Sequence, residues 1–208
     1  EGMCRAFIEG ADIHRRTASE VFGVPFDEVT SEMRSAAKAV NFGIVYGISD
    51  FGLARQLGIS RKEAARYIEL YFMRYPGVYT YLKECVEHAK QQGAATTLFG
   101  RRREMPELKS SNYNTRSFGE RVAMNMPIQG TAADIIKLAM VRVHNELKAR
   151  GMKSELILQI HDELIIDAVQ EEADAAAEIL KSCMENVVNL KVPLLAEVHT
   201  GHSWFDTK

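Results

Sequence analysis

The sequence predicts an α+β protein that is mostly helical, and three observations support this fold class. In the first half, capping residues precede amphipathic segments, which end at glycine or proline. In the second half, apolar runs on both sides of His161-Asp162-Glu163 predict an antiparallel hairpin. A helix rich in Ala and Glu follows that hairpin. With 208 residues, of which 46% are hydrophobic, the chain can bury one or two compact cores.

Five helices are predicted in the first half, each from local start and stop signals. Side-chain oxygens of Ser, Thr and Asp accept hydrogen bonds from the first backbone N–H groups of a helix, and Gly or Pro ends it. The predicted segments are Ile13–Phe22 after Asp12, a helix from Thr30 or Ser31 to about Tyr46, a short helix from Ser49 to Gly58, a helix from the Ser60 and Glu63 capping box to Pro76, and a helix from Val78 to Gly93.

The middle of the chain predicts a hairpin and then a domain boundary. Ala95 to Pro106 reads as two short strands that turn at Phe99-Gly100, with three arginines after the turn. The Ser- and Asn-rich stretch from Lys109 to Asn114 is typical of a loop. We therefore expect two domains, 1–114 and 115–208.

The second domain is predicted to combine helices with a small sheet. Pro127 is expected to break a helix, because proline lacks the N–H group that a helix interior needs. The remaining predicted elements are a helix from Thr131 to Arg150, a hairpin of Glu155–Ile160 and Leu164–Ala168, a helix from Glu171 to Val188 and a strand from Val192 to Val198.

Charge and cysteine content exclude several classes of protein. The formal net charge is -2, but Lys and Arg outnumber Asp and Glu by 18 to 15 up to Arg121, whereas acids lead by 13 to 8 afterwards. The first part could face phosphates and the second could hold cations, or both could be ordinary solvated surface. Three widely spaced cysteines suggest neither a disulfide framework nor a zinc site, so we expect a reducing, cytoplasmic location. No apolar run is long enough to span a membrane.

A stripe of four side chains on one predicted helix suggests a nucleotide site. Arg34, Lys38, Phe42 and Tyr46 are spaced by four, and Arg34 lies about 12 Å from Phe42 along a helix axis. Two cations suit phosphates, and two aromatic rings suit a sugar and a base. The alternative is an amphipathic helix with its rings in the core and its cations in solvent.

The hairpin turn suggests a metal site. Asp162 and Glu163 place two carboxylates at a rigid tip, where Mg²⁺ would offset their repulsion. The alternative is a solvated turn, since Asp is common in turns.

A second four-residue repeat consists of Arg121, Asn125 and Gln129. The amides of Asn and Gln can donate to the acceptors that every base pair shows in the minor groove. Ordinary polar residues on a helix surface are the alternative.

The sequence resembles DNA polymerases of family A. The resemblance rests on Gln159-Ile-His161-Asp162-Glu163, which is similar to the palm motif of that family, and on a fingers motif, RxxxKxxxFGxxYG, formed by Arg34, Lys38, Phe42, Gly43, Tyr46 and Gly47. It implies a helical fingers subdomain followed by part of a palm with a catalytic β-hairpin.

The resemblance also implies roles for individual residues. Arg34, Lys38 and His14 would contact the triphosphate of a dNTP, Phe42 its sugar and base, and Tyr46 with Gly47 the templating position. Asp162 would bind the catalytic metals, two Mg²⁺ ions in the complete site, with Glu163 in support. Lys38 is also a candidate proton donor to the leaving group. The residues expected to contact primer-template DNA are Arg121, Asn125, Gln129 and His161.

The resemblance also implies an incomplete catalytic centre. The family has a second palm motif, similar to DYSQIE, which would lie upstream of Glu1 and carry the other metal-binding aspartate. We therefore expect a monomeric DNA polymerase of replication or repair, and expect these 208 residues by themselves to be nearly inactive.

Two other functions fit parts of the sequence. A non-catalytic module that binds primer-template DNA would need no triphosphate site. A metal-dependent hydrolase would use Asp162 and Glu163 but would leave the Arg34 to Tyr46 stripe unexplained.

Overall fold

The structure, a computed structural model, describes Gly2 to Thr207 and divides the chain into two compact units. The first unit is Glu1–Gly130 and the second is Thr131–Lys208. Helices dominate both, and each unit contains one two-stranded antiparallel sheet, which confirms the predicted α+β class. The helices are α1 (Gly2–Ile8), α2 (Ile13–Phe22), α3 (Ser31–Val45), α4 (Asp50–Leu57), α5 (Arg61–Arg74), α6 (Pro76–Gln92), α7 (Tyr113–Ala149) and α8 (Ala173–Glu185), and the strands are β1 (Ala94–Thr96), β2 (Arg102–Glu104), β3 (Glu155–Ile160) and β4 (Glu163–Asp167).

The predicted caps form at the starts of α2 to α5. The side chains of Asp12, Thr30, Ser49 and Ser60 each accept a hydrogen bond from a backbone N–H in the first turn of the following helix. Such a bond satisfies a donor that has no partner within the helix. Local sequence therefore decides where these helices begin.

The core of the first unit holds α2 and α3 together. Ala18 on α2 and Ala37 on α3 are fully buried in one cluster, because small side chains let the two helices approach closely. Further along α3, Val40 and Ile44 pack into a larger cluster that also contains Tyr71. The opposite face of α3 is left for the stripe of site residues.

The β1–β2 hairpin confirms the prediction for residues 95 to 106. Thr96 pairs with Arg102, and the backbone N–H of Thr97 donates to the carbonyl of Arg101 at 2.9 Å. Ala95 packs with Met105 beneath the hairpin and with Ala123 of α7.

Helix α7 corrects the expected break at Pro127. The helix continues from Tyr113 to Ala149 with Pro127 inside it. Proline cannot donate to the carbonyl four residues earlier. The helix nevertheless continues, and Ala123, one turn before Pro127, is fully buried in the cluster with Met105. The two compact units divide between Gly130 and Thr131, within α7.

The second unit packs its sheet against helices. Leu164 of β4 is buried in a cluster with Val143 of α7 and Ile179 of α8. Strands β3 and β4 pair antiparallel, with a register shift between Leu156 and Leu158. The pairing of Ile160 with Glu163 leaves a two-residue loop at the hairpin tip.

The prediction of a strand from Val192 to Val198 is wrong. This segment forms no regular element, and no strand among residues 2–207 pairs with it. A strand needs a neighbour for its backbone hydrogen bonds, and Pro193 removes one donor. Within this segment, the backbone N–H of Ala196 donates instead to the carboxylate of Glu185, at 3.1 Å. In the part of the chain described, no helix has the length and hydropathy to span a membrane.

Candidate functional site

Helix α3 exposes the aromatic part of the predicted stripe. Phe42 is 47% exposed and Tyr46, which caps the helix, is 46% exposed. The hypothesis that both rings belong to the core is therefore wrong. The buried positions of the helix include Ala37, Val40 and Ile44 instead.

Side chains from α2 and α3 form one surface that is cationic at one end and aromatic at the other. The ammonium nitrogen of Lys38 lies 5.9 Å from the centre of the Phe42 ring, a distance typical of cation–π contact. The Phe42 and Tyr46 rings are nearly parallel, with centroids 6.4 Å apart. The ring of His14 of α2 also lies beside Phe42, with ring centroids 5.7 Å apart. We call His14, Arg34, Lys38, Phe42 and Tyr46 the α2–α3 surface.

Arg34 is held at the cationic end by Asp12. Its Nε lies 2.5 Å from Oδ2 of Asp12, whose Oδ1 accepts from the backbone N–H groups of His14 and Arg15. Burial raises the pKa of Asp12, but the hydrogen bonds from Arg34 and Arg15 and the charge of Arg34 outweigh it and lower the pKa overall. Asp12 therefore stays ionised and both caps α2 and orients Arg34.

His14 contacts Asn41, and Asn41 is in turn hydrogen-bonded to Thr17; sequence reasoning missed both residues. Asn41 Nδ2 lies 3.0 Å from His14 Nδ1 and 3.2 Å from Thr17 Oγ1. Burial lowers the pKa of His14, and the charges of Arg34 and Lys38 lower it further against an opposing effect of Asp12. An available signal was Asn41 itself, a poor helix former inside α3.

Gly47 brings the end of α3 close to α7. Its φ of +67° lies in the left-handed region, and a Cβ at this position would come within 2.7 Å of Met124 Cε and 3.0 Å of Arg121 Cγ. A larger residue would therefore be both strained and crowded.

Two open grooves of ≈ 440 Å³ each meet at Tyr46 and Arg121. Gln129 Nε2 donates to the Tyr46 hydroxyl at 3.1 Å. Among the described residues, Asn125 Nδ2 is buried and has no hydrogen-bond partner. Because α7 is continuous, Arg121, Asn125 and Gln129 all line the second groove.

In the second unit, the remaining predicted residues lie at the tip of the β3–β4 hairpin. His161 has a φ of +50°, which is uncommon for a residue other than glycine. Gln159 Nε2 donates to the His161 carbonyl at 2.6 Å and supports the turn. Asp162 and Glu163 follow directly, and both are exposed.

The donors at this tip suit a metal ion that is shared with a substrate. Within residues 2–207 no group of three or more His, Cys, Asp or Glu side chains is placed to hold a metal. Mg²⁺ is commonly bound by one or two carboxylates together with water and substrate phosphates. Asp162 and Glu163 fit that pattern and do not fit an all-protein cage.

Comparison with known proteins identifies the family. The sequence profile described as DNA polymerase family A matches residues 1–206. The chain belongs to this family. Among family A relatives, it is 57% identical over its whole length to the DNA polymerase I of Caldicellulosiruptor bescii and 52% identical to that of Bacillus subtilis. The chain spans 24% of the length of each of these relatives.

A solved structure shares the fold. The POL domain of Pol1 from M. smegmatis, in complex with DNA primer-template and dNTP, matches with a TM-score of 0.95 and 45% identity. The match covers 99% of this chain and 36% of the other. The mostly helical α+β fold described above is therefore a fold of family A polymerases.

Proposed function

We propose that this chain is the nucleotide-binding and hairpin part of a DNA-directed DNA polymerase. The proposed reaction joins the primer 3′-oxygen to the α-phosphorus of a dNTP, breaks the bond to the β-phosphate oxygen and releases pyrophosphate. The α2–α3 surface is the observation that carries this proposal, because it matches a triphosphate at one end and a base at the other. Its residues lie together in one compact unit.

In this proposal, the cationic end binds the triphosphate. Arg34 offers planar donors for phosphate oxygens, Lys38 offers a mobile ammonium group, and His14 adds an N–H donor. Phe42 and Tyr46 provide aromatic faces for the sugar and base pair. Lys38 also donates a proton to the pyrophosphate oxygen that leaves, because its ammonium group can follow the charge that develops there.

The second groove is proposed to contact the primer-template duplex. Gln129 and Asn125 line this groove, and their side-chain amides can donate to minor-groove acceptors, which all base pairs share, so contact would not depend on sequence. Arg121 lies between the two grooves and adds positive charge. His161 is the proposed contact to the primer terminus from the hairpin tip.

Asp162 is proposed to hold the catalytic Mg²⁺ ions, with Glu163 in support. When bound, two such ions would stabilise the attacking and leaving oxygens of the transfer. The chain itself supplies rigidity, because the turn is paired on both sides and supported by Gln159.

Further parts of the proposal concern the whole protein. We assign residues 1–114 to a fingers subdomain and 115–208 to part of a palm. The second metal-binding aspartate is proposed to lie upstream, so that these 208 residues by themselves are nearly inactive. The longer protein is proposed to be a cytoplasmic monomer that acts in DNA replication or repair.

Primer extension tests the proposed function. A longer chain that includes the sequence upstream of Glu1 is supplied with primer-template, dNTPs and Mg²⁺, beside its Asp162→Ala variant and a control, Glu178→Ala. Glu178 is an exposed acid of α8. We expect template-directed extension by the parent and by the control, and at least a hundredfold loss in Asp162→Ala, typical of removing a catalytic charge.

Other outcomes would overturn the proposal. A longer chain that binds primer-template but never extends it would be a non-catalytic DNA-binding module. Phosphate release that depends on metal but not on template would indicate a hydrolase.

A further inference from the structure

The ring of His14 is the feature that the proposed function leaves unexplained. A neutral imidazole carries one N–H donor and one acceptor nitrogen, and only the donor can bind a phosphate oxygen. Which nitrogen carries the proton is decided by the partner of the other one. In this fold, that partner is Asn41, which is 8% exposed and belongs to the same helix as Arg34 and Lys38.

The nitrogen of the Asn41 amide faces His14, and the Thr17 hydroxyl lies near both the nitrogen and the oxygen of that amide. Its nitrogen lies 3.0 Å from His14 Nδ1 and 3.2 Å from Thr17 Oγ1. Both hydrogens of the amide nitrogen are used in this orientation, one for each partner. Thr17 is fully buried, and its hydroxyl also donates to Asn41 Oδ1 at 3.3 Å. The Asn41 N–H therefore points at His14 Nδ1, which must accept.

We propose that Asn41 is a positioning residue that holds His14 in the Nε2–H tautomer, so that Nε2 donates to a phosphate oxygen of the bound triphosphate. The inference rests on the proposed function for its ligand. In residues 2–207, Nε2 of His14 has no hydrogen-bond partner, so its N–H remains available. Asn41 lies between Lys38 and Phe42 in sequence but faces the interior, and it acts on the triphosphate only through His14.

The neutral state of His14 makes this positioning necessary. The charged groups that act on the ring are Asp12, Arg34 and Lys38, and with burial they lower the pKa of His14 overall. An imidazolium would donate from both nitrogens and would need no positioning. A neutral ring donates from one nitrogen, and in the wrong tautomer it would turn a lone pair toward the phosphate.

The proton position can be measured without any ligand. Nitrogen-15 NMR of the chain with labelled histidine rings distinguishes the two tautomers, and His14→Gln identifies the signals of His14 among the six histidines. We expect Nδ1 unprotonated and Nε2 protonated at pH 7.5. A protonated Nδ1 in the parent chain would overturn the proposal, whether or not any variant folds.

Asn41→Asp supplies the second test. Its carboxylate would accept from Nδ1–H, so the neutral ring would lose its Nε2 proton and phosphate binding would require proton uptake. We expect the affinity for inorganic triphosphate to be independent of His14 titration in the parent between pH 7.5 and 9. In Asn41→Asp it should fall by up to about tenfold per pH unit above the His14 pKa.

The double variant His14→Gln, Asn41→Asp is the matched control. It removes the titrating ring, so the extra pH dependence of triphosphate affinity seen in Asn41→Asp should disappear. Only the pH dependence that comes from the titration of triphosphate itself should remain. If triphosphate affinity falls with pH equally steeply in Asn41→Asp and in the double variant, the positioning role is overturned. If the parent shows the Nε2–H tautomer but binds no triphosphate, the phosphate contact and the nucleotide site of the proposed function fail, and only the structural effect of Asn41 remains.

Discussion

Replacing Gly47 with alanine tests how closely α3 approaches α7. The new Cβ would lie 2.7 Å from Met124 Cε and 3.0 Å from Arg121 Cγ, and the backbone has a φ of +67°. Left-handed backbone costs a residue with a Cβ about 1–2 kcal/mol, and overpacking costs about 1–3 kcal/mol more. Because the end of the Met124 side chain can move, we expect a total loss of roughly 2–4 kcal/mol in the free energy of unfolding.

Gly58→Ala is the matched control for this variant. Gly58 also has a left-handed backbone, with a φ of +68°, but a Cβ there would meet nothing within 4 Å. It should therefore lose only the backbone part, about 1–2 kcal/mol. The difference between the two variants isolates the crowding between Gly47 and α7.

Urea unfolding followed by circular dichroism measures both variants. Gly47 and Gly58 lie in the same compact unit, so the same transition reports on each. A kcal/mol corresponds to about 2–4 °C in melting temperature for a chain of this size, so thermal unfolding gives a second measurement. Equal losses in the two variants would refute the argument that the Arg121 and Met124 contacts exclude a side chain at Gly47.

Three further predictions concern stability. Burial raises the pKa of Glu20, but hydrogen bonds from Arg74 and Tyr75 outweigh it and lower the pKa below its ordinary 4.5. The stabilisation of the folded state by ionised Glu20 is therefore complete above pH 4.5 and is lost as the pH falls through the lower folded-state pKa. Glu20→Gln should reduce the free energy of unfolding by roughly 1–3 kcal/mol at pH 7 and by progressively less in acid-unfolding measurements below pH 4.5. A stability difference between parent and variant that stays constant with pH would contradict this. Asp12→Asn should keep the cap of α2 while losing the Arg34 pair, so calorimetry should show Asp12→Ala to be about 1 kcal/mol less stable than Asp12→Asn. Ser154→Ala removes the hydroxyl that accepts from Val169 N–H at 3.1 Å and donates to Glu172 at 2.6 Å. Amide hydrogen exchange in β3 and β4 should therefore accelerate by an amount equivalent to about 1–3 kcal/mol. Unchanged protection would contradict a stabilising role for these two hydrogen bonds.

Local patterns were sufficient to predict most helices and both hairpins. Asp12, Thr30, Ser49 and Ser60 are caps in the structure because a capping bond spans only two or three residues of chain. The loop at His161-Asp162 follows in the same way from apolar runs on each side of it.

The two errors arise where distant contacts decide. Pro127 is a breaker in isolation, but α7 passes through it while buried Ala123 packs with Met105. The segment from Val192 to Val198 has a strand-like sequence, but a strand exists only beside a partner, and none pairs with it among the described residues.

The sequence by itself determined the order of the helices, the four-residue spacing of Arg34, Lys38, Phe42 and Tyr46, and the position of Asp162 at a turn. Each of these depends on residues that are near one another in the chain, where helix and hairpin geometry is known in advance.

Only the tertiary structure decided which faces are buried and which side chains meet across elements. It exposes Phe42, brings Asp12, the N-cap of α2, to Arg34, and places Asn41 against His14, 27 residues away. Such contacts depend on how α2 and α3 pack, and that packing is set by buried alanines and a shared core whose partners no local pattern identifies.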